Sequence, residues 1–182
     1  LLQWNKRTNL VSKSDESRVF PRHIVDSLSA TSFLLGNSIV DIGSGAGLPG
    51  LPLAIACPHK KFTLYERMKK RAHFMRFVIA NLRIDNAQVI EAPFEEIVSK
   101  SKRFNCVVSR GVRRAEVLWP IVERAITKTG RLIVYASTQS SGEESTNKTV
   151  GKIHGGGLHI SSSAVEITGL NKSHWFHIID KE

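Results

Sequence analysis

Apolar positions change their period repeatedly along the chain, and those changes outline a fold. Residues 1–36 read as helical, with Ile24, Leu28, Thr31 and Leu35 of "RHIVDSLSATSFLL" close to one helical face. A short β-rich run follows at 38–42, then a glycine turn, then "LPLAIA", which suits a helix. "KFTLYE" at 61–66 has strand character. Over 67–82, Met68, Ala72, Met75, Ile79 and Leu82 recur at steps of four and three, which makes one stripe of a helix. Lys69, Lys70, Arg71 and Arg76 fall off that stripe. The alternation continues with a strand at "AQVIEA", a short helix at "FEEIVSK", a strand at "FNCVVSR", a helix at "AEVLWPIVERAIT" and a strand at "GRLIVYA".

Five β/α alternations predict an α/β protein, a mostly parallel sheet with helices on both faces. Residues 137–148, "STQSSGEESTNK", are polar and acidic and are expected to form a mobile surface loop. "LHISSSAVEIT" and "SHWFHIID" show no helical pattern between them, so an antiparallel hairpin at the sheet edge is expected, joined by turn residues 169–172. The expected division is an N-terminal helical cap at 1–36 and an α/β domain at 37–182. The chain starts without Met on what reads as the tail of an amphipathic helix, with Leu1, Leu2 and Trp4 apolar, so residues upstream are expected.

Composition narrows the class. With 182 residues, 41% hydrophobic and 23% charged, the chain fits one ordinary globular domain and not a disordered, collagen-like or disulfide-scaffold protein. Cys57 and Cys106 lie far apart in apolar surroundings and read as small buried hydrophobes; with no clustered Cys/His spacing, no metal site is expected. No stretch approaches the ~20 apolar residues of a membrane span, and "LLQWNKRTNL" lacks the core of a signal peptide, so a cytoplasmic protein without a membrane partner is expected.

Charge adds a partner. The net charge is +10 and clustered: residues 59–76 hold seven Lys/Arg against one acid, and 99–114 hold six against none. Such runs suit a polyanion, because Lys and Arg on phosphates release condensed counterions; the alternative is a solvated basic surface that binds nothing in particular.

The glycine turn adds a site. "VDIGSGAGLPG" at 40–50 sits where the first strand hands over to a helix, the place where open α/β sheets bind ligands. Glycine permits positive φ and close backbone approach, and a helix start beyond it favours negative charge. Dinucleotide sites favour G-x-G-x-x-G, whereas Gly43, Gly45 and Gly47 give G-x-G-x-G, with Asp41 two residues earlier and Glu66 ending the second strand. This arrangement resembles class I S-adenosylmethionine-dependent methyltransferases, in which the acid ending strand two takes the ribose hydroxyls. Asp41, Gly43, Ser44, Gly45 and Glu66 are therefore candidate cofactor residues. Glu66 as a helix-start acid and Asp41 as a turn-stabilising acceptor are the structural alternatives.

Read together, "WNKRTNLVS" at 4–12, "RHIVDSL" at 22–28, "VDIGSGAGLPGLPLA" at 40–54 and "VVSRG" at 107–111 resemble the ribosomal RNA small subunit methyltransferase G family, also called glucose-inhibited division protein B. "ERMKKRAHFM" and "FEE" fit the same pattern. The resemblance implies the class I methyltransferase fold: a Rossmann-like, mostly parallel seven-stranded sheet with an antiparallel edge hairpin. It implies methylation of a guanine of 16S ribosomal RNA at ring nitrogen 7, conventionally guanine 527, with S-adenosylmethionine as donor. The substrate would be 16S ribosomal RNA or a small-subunit precursor, met by a monomer. Carried over by position, Gly43 and Leu48 would line the cofactor, Phe94 and Glu95 would hold its adenine end, and Arg110 would close the pocket. Asn9, Arg22, His23 and Arg110 are the substrate-side candidates.

One departure stands out. Where the family carries Lys-Gly at the end of strand five, this chain reads Ala136-Ser137, which removes a positive charge. A non-catalytic RNA-binding or assembly protein on the same fold is therefore the alternative. Methylation at guanine nitrogen 7 needs no general base, since that nitrogen has a free lone pair, and no catalytic dyad is expected. Arg110 has a functional reading, as a planar donor to cofactor or guanine, and a structural one, as a strand-end arginine paired with an acid. His23 is either a base-contacting or a packed histidine. Trp119 and Trp175 read as core or edge packing, and Trp4 as a bridge from the N-terminal helix.

Overall fold

The computed structural model describes residues 1–99, 102–136, 148–149, 160–166 and 173–181. Five strands run parallel: β1 (Ser38–Ile42), β2 (Lys61–Tyr65), β3 (Ala87–Ile90), β4 (Phe104–Arg110) and β5 (Ile126–Ala136). β6 (Lys148–Thr149), β7 (Ile160–Glu166) and β8 (Ser173–Asp180) complete one sheet of order β3-β2-β1-β4-β5-β8-β7-β6, with β8 antiparallel to both β5 and β7. β1 occupies the centre because "SIVDI" is buried almost throughout, as a strand covered on both faces must be.

Helices cover both faces. α1 (Leu2–Thr8), α2 (Asp26–Leu28), α3 (Gly50–Ala56) and α4 (Lys69–Leu82) pack with a core of Ile39, Leu53, Leu64, Met75 and Phe176. α5 (Ala115–Val122) closes a second core around Val40, Phe104, Leu118 and Ile179. Trp4 stacks against Phe74 and Phe77 with ring centroids 5.5 and 5.2 Å apart, which fastens α1 to α4 as its expected bridging role required. Asn86 donates to the carbonyls of Ala54, Cys57 and Lys60, stapling the end of α3 to the β2 and β3 starts. Cys57 and Cys106 are free and buried, and burial pushes the Cys106 thiol up to about 12.

Several expectations need correction. The helical cap consists of short pieces: α1 is followed by a 3-10 turn at Lys13–Arg18, a π-helical turn at Phe20–Val25, α2 and a 3-10 turn at Thr31–Phe33. The sheet gains a short eighth strand, because Lys148 of the expected loop pairs with β7; residues 137–147, and the hairpin turn 169–172, lie outside the described residues. The helical stripe of α4 is buried only at its middle. Ala72 and Met75 are enclosed, whereas Met68, just before α4, and Leu82, its last residue, are 47% and 61% exposed. "FEEIVSK" forms a 3-10 turn at Phe94–Ser99. The helix expected over 115–127 stops at Val122, two residues past Pro120, whose missing N–H removes one helical bond, and β5 takes over at Ile126.

Candidate active site

Sheet order reverses between β1 and β4, so a crevice opens at their carboxyl ends, where this architecture binds ligands. The turn after β1 enters it with Gly43, Gly45 and Gly47 all at positive φ, at 68°, 56° and 77°. Those angles are open to glycine and costly for side chains, so the glycine spacing has a backbone cause. Ser44 donates its N–H to the Tyr65 carbonyl at 2.9 Å and its hydroxyl to the Asp41 carbonyl at 3.0 Å.

Glu66 ties the turn to the second strand. Its Oε2 accepts from Gly45 N–H at 2.8 Å and its Oε1 from Met68 N–H at 2.7 Å. A carboxylate offers about four lone-pair sites, so two remain for a ligand. Beside it lies a cleft of about 370 Å³ bounded by Gly43, Glu66, Arg67, Phe94, Glu95 and Arg113. Arg113 spans its far wall, with its guanidinium 5.6 Å from the Phe94 ring centroid and 3.5 Å from the Glu95 carboxylate.

Four sequence candidates, Gly43, Glu66, Phe94 and Glu95, thus meet at one cleft, although they come from the three loops that follow β1, β2 and β3. The others fall elsewhere. Gly45 contributes its N–H to Glu66, and Ser44 is buried inside the turn. Asp41 is fully buried beneath the turn, and its Oδ2 accepts from Gly50 N–H at 2.9 Å. The first amide of α3 is therefore already satisfied by the chain, and Asp41 takes the turn-stabilising role. Leu48 turns away after left-handed Gly47 into a separate apolar cavity of about 450 Å³ with Leu51, Phe74 and Phe77.

The substrate-side candidates lie under or on the cap. Arg110, the last residue of β4, is not among the residues that line this cleft, and it pairs with Asp26 at 2.8 Å. Arg22 Nε stands 3.1 Å from Asp15, and His23 lies between Asp15 at 3.6 Å and Arg110 at 3.5 Å. Burial first, and then the Arg110 charge, holds the His23 imidazole below its ordinary pKa. Asn9 ends α1 in a left-handed conformation and accepts from Arg71 through its carbonyl, 3.4 Å away.

Sequence reasoning passed over Asp15, Asp26, Arg113 and His174. Asp26 follows His23 by three residues within the quoted "RHIVDSL", so helical spacing alone places both on one face. His174 carries no such signal, being 148 residues from the carboxylate that it meets. Asn5, not Asn9, is the buried asparagine of the first motif, accepting from Leu10 and Val11 N–H at 2.6 and 2.9 Å.

The family model for rRNA small subunit methyltransferase G (GidB) matches residues 1–166. The chain belongs to this family. Among rRNA small subunit methyltransferase G proteins, that of Photobacterium profundum is 40% identical over 110 residues, which is 60% of this chain and 53% of that protein. That of Desulfitobacterium hafniense is 32% identical over 151 residues, 81% of this chain and 63% of that protein. The chain spans roughly half to two thirds of the length of these methyltransferase G relatives. The fold is that of class I methyltransferases. A magnesium protoporphyrin IX methyltransferase from Synechocystis superposes with TM-score 0.60 at 10% identity, covering 100% of this chain and 91% of its own. Precorrin-6y C5,15-methyltransferase from Geobacter metallireducens gives 0.57 at 15%, covering 86% and 87%.

Asp41 gives the methyltransferase G turn a pH dependence. Burial pushes its carboxyl from 3.8 up to about 7, against the opposing Gly50 and Ser44 hydrogen bonds, and its Oδ1 has no partner among the described residues. The folded pKa lies above the unfolded one, so this group's contribution to stability is complete below pH about 4 and is lost as pH rises through about 7. Asp41→Asn removes that dependence. Urea midpoints of the two proteins, measured from pH 5 to 8.5, should shift in favour of the variant up to about pH 7 and level off above it; a constant difference would rule this out.

Proposed function

We propose that this chain transfers a methyl group from S-adenosylmethionine to ring nitrogen 7 of a guanine in 16S ribosomal RNA, at guanine 527 by family resemblance. It would act in the cytoplasm, as a monomer, on the RNA or a small-subunit precursor, with residues 1–36 as a cap on the catalytic unit. The observation that carries this reading is the Glu66 carboxylate, set between Gly45 and Met68 N–H groups at the lip of the cleft. Among the described residues no helix is long and apolar enough to cross a membrane.

The residues present suit the donor. A Cβ at Gly43 would stand 2.6 Å from Val112 Cγ2, so only glycine leaves that approach to the cleft open. Glu66 has acceptor sites left for a pair of ribose hydroxyls, and Phe94 offers a ring face to an adenine. When bound, the donor supplies a methyl group on a sulfonium sulfur; the bonding pair stays with sulfur as the nitrogen lone pair takes the carbon. The acceptor nitrogen carries no proton, so the chain has only to position and to shield. Arg67, Lys69 and Lys70 are exposed beside the cleft and suit the phosphates of a bound RNA.

Methyl-labelled donor should place label in 16S RNA of small subunits lacking the modification, mapping to one guanine with nitrogen-7 chemistry. Salt-sensitive RNA binding without label would favour the non-catalytic alternative, to which the missing positive charge at Ala136 points. Label confined to a small molecule would sink both.

A further inference from the structure

Three adjacent strands each send one polar side chain up to the cap. Arg110 ends β4, Tyr135 lies opposite it on β5, and His174 stands near the start of β8. The Tyr135 hydroxyl donates to the Ser27 carbonyl at 2.5 Å. The other two converge on a single carboxylate. Asp26 Oδ2 accepts from Arg110 Nη1 at 2.8 Å, and Asp26 Oδ1 accepts from His174 Nδ1 at 2.6 Å.

This is unlike an exposed ion pair, which solvent screens and which holds little in place. The side chains of Arg110, Asp26 and His174 are 18%, 24% and 5% exposed. Both carboxylate oxygens are engaged from different strands, so the carboxylate cannot swing without breaking one bond. Arg110 Nη1 also reaches the His23 carbonyl at 3.4 Å and Nη2 reaches His23 Nδ1 at 3.5 Å, so the cap occupies that end of the fork and leaves the Nε–H and one Nη2–H. Arg110 also stands at the crevice edge: Gly111 follows it at φ 70°, and Val112, the next residue, backs Gly43.

We infer that Asp26, braced by His174, is a positioning residue that aims the Arg110 guanidinium at the methyl-transfer crevice when the cap is docked. A free arginine side chain samples many rotamers, and a misplacement of about 1 Å can cost 100-fold in rate. Asp26 touches neither donor nor RNA in this assignment; it acts through Arg110. The inference rests on the methyltransferase reading above.

A double-mutant cycle tests it, with saturating single-turnover transfer to unmodified small subunits by the unsubstituted protein, Asp26→Asn, Arg110→Ala and the double variant. Asp26→Asn is expected to lower the transfer rate 10- to 100-fold, with the KM for RNA changed less than threefold. The double variant should be no slower than Arg110→Ala alone. His174→Leu should lose more than His174→Asn, which keeps a donor for Asp26 Oδ1. Folding is checked by thermal midpoint, and the His174 pair supplies the comparison if Asp26→Asn unfolds. Independent, multiplying losses in the double variant, or a rate for Asp26→Asn within twofold of the parent, would overturn the positioning role while leaving the function standing. No transfer by the unsubstituted protein would overturn the function, and the inference with it.

Discussion

Glu66→Gln is expected to weaken binding of S-adenosylhomocysteine about 100-fold. The substitution keeps size and shape but replaces one acceptor oxygen by an NH2 group. The native carboxylate receives two N–H donors, from Gly45 at 2.8 Å and Met68 at 2.7 Å. An amide can accept only one of them, so an N–H group is left facing another, at a cost of about 1–3 kcal/mol. The hydroxyl contacts of the ligand lose charge assistance as well, and the two losses together reach roughly 3 kcal/mol, or 100-fold. Isothermal titration with the parent protein alongside measures the ratio. Affinity within threefold of the parent would remove Glu66 from the site and leave it as a turn-bracing acid.

The second large effect opposes helix propensity. Gly50 begins α3 and its φ is not positive, so by propensity alone Gly50→Ala should stabilise the chain by up to about 1 kcal/mol. The packing says otherwise. A Cβ there would stand 2.7 Å from Asp41 Oδ2 and 2.9 Å from Leu64 Cδ2, both closed in by the core. Asp41 would lose its bond from Gly50 N–H with no solvent to replace it, and Leu64 would be pushed off its site. A net loss of about 2–3 kcal/mol is expected, which lowers the thermal midpoint by roughly 5–10 °C in a chain of this size. A midpoint equal to or above the parent's would show that the strand and turn can give way.

Both effects arise from contacts that join the glycine turn to β1 and to the end of β2, and these are what the amino-acid pattern half disclosed. The glycine spacing, the acid closing strand two and the leucine-proline continuation are local, and they named the turn and the cofactor class. Leu48 shows where motif reasoning stops. It lies within the most specific stretch, yet left-handed Gly47 carries it into the apolar cavity and away from the polar cleft. Asp41 likewise keeps its motif position and goes under the turn. A motif records which residues a local structure requires, and it does not separate those that meet a ligand from those that hold the turn.

The parallel character of the sheet was readable because strands that alternate with helical segments need crossovers, and those place neighbouring strands parallel. The strands found at 38–42 and 104–110 coincide with the runs read from the amino acids. The cap was less readable. The segment read as helical is broken into short 3-10, π and α turns; Asp15 pairs with Arg22 within it, and Asp26 pairs with Arg110 of β4.

By itself the sequence determined the α/β class, the glycine turn after the first strand and the basic runs at 59–76 and 99–114, because each depends on neighbours within a few residues. Tertiary structure alone decided that Glu66 closes onto Gly45, that Arg110 belongs to Asp26, and that His174 reaches across 148 positions to the same carboxylate. Those pairings are set by which strands lie side by side and by the low exposure that makes an unpartnered charge costly. Neither quantity is written in any single stretch of the chain.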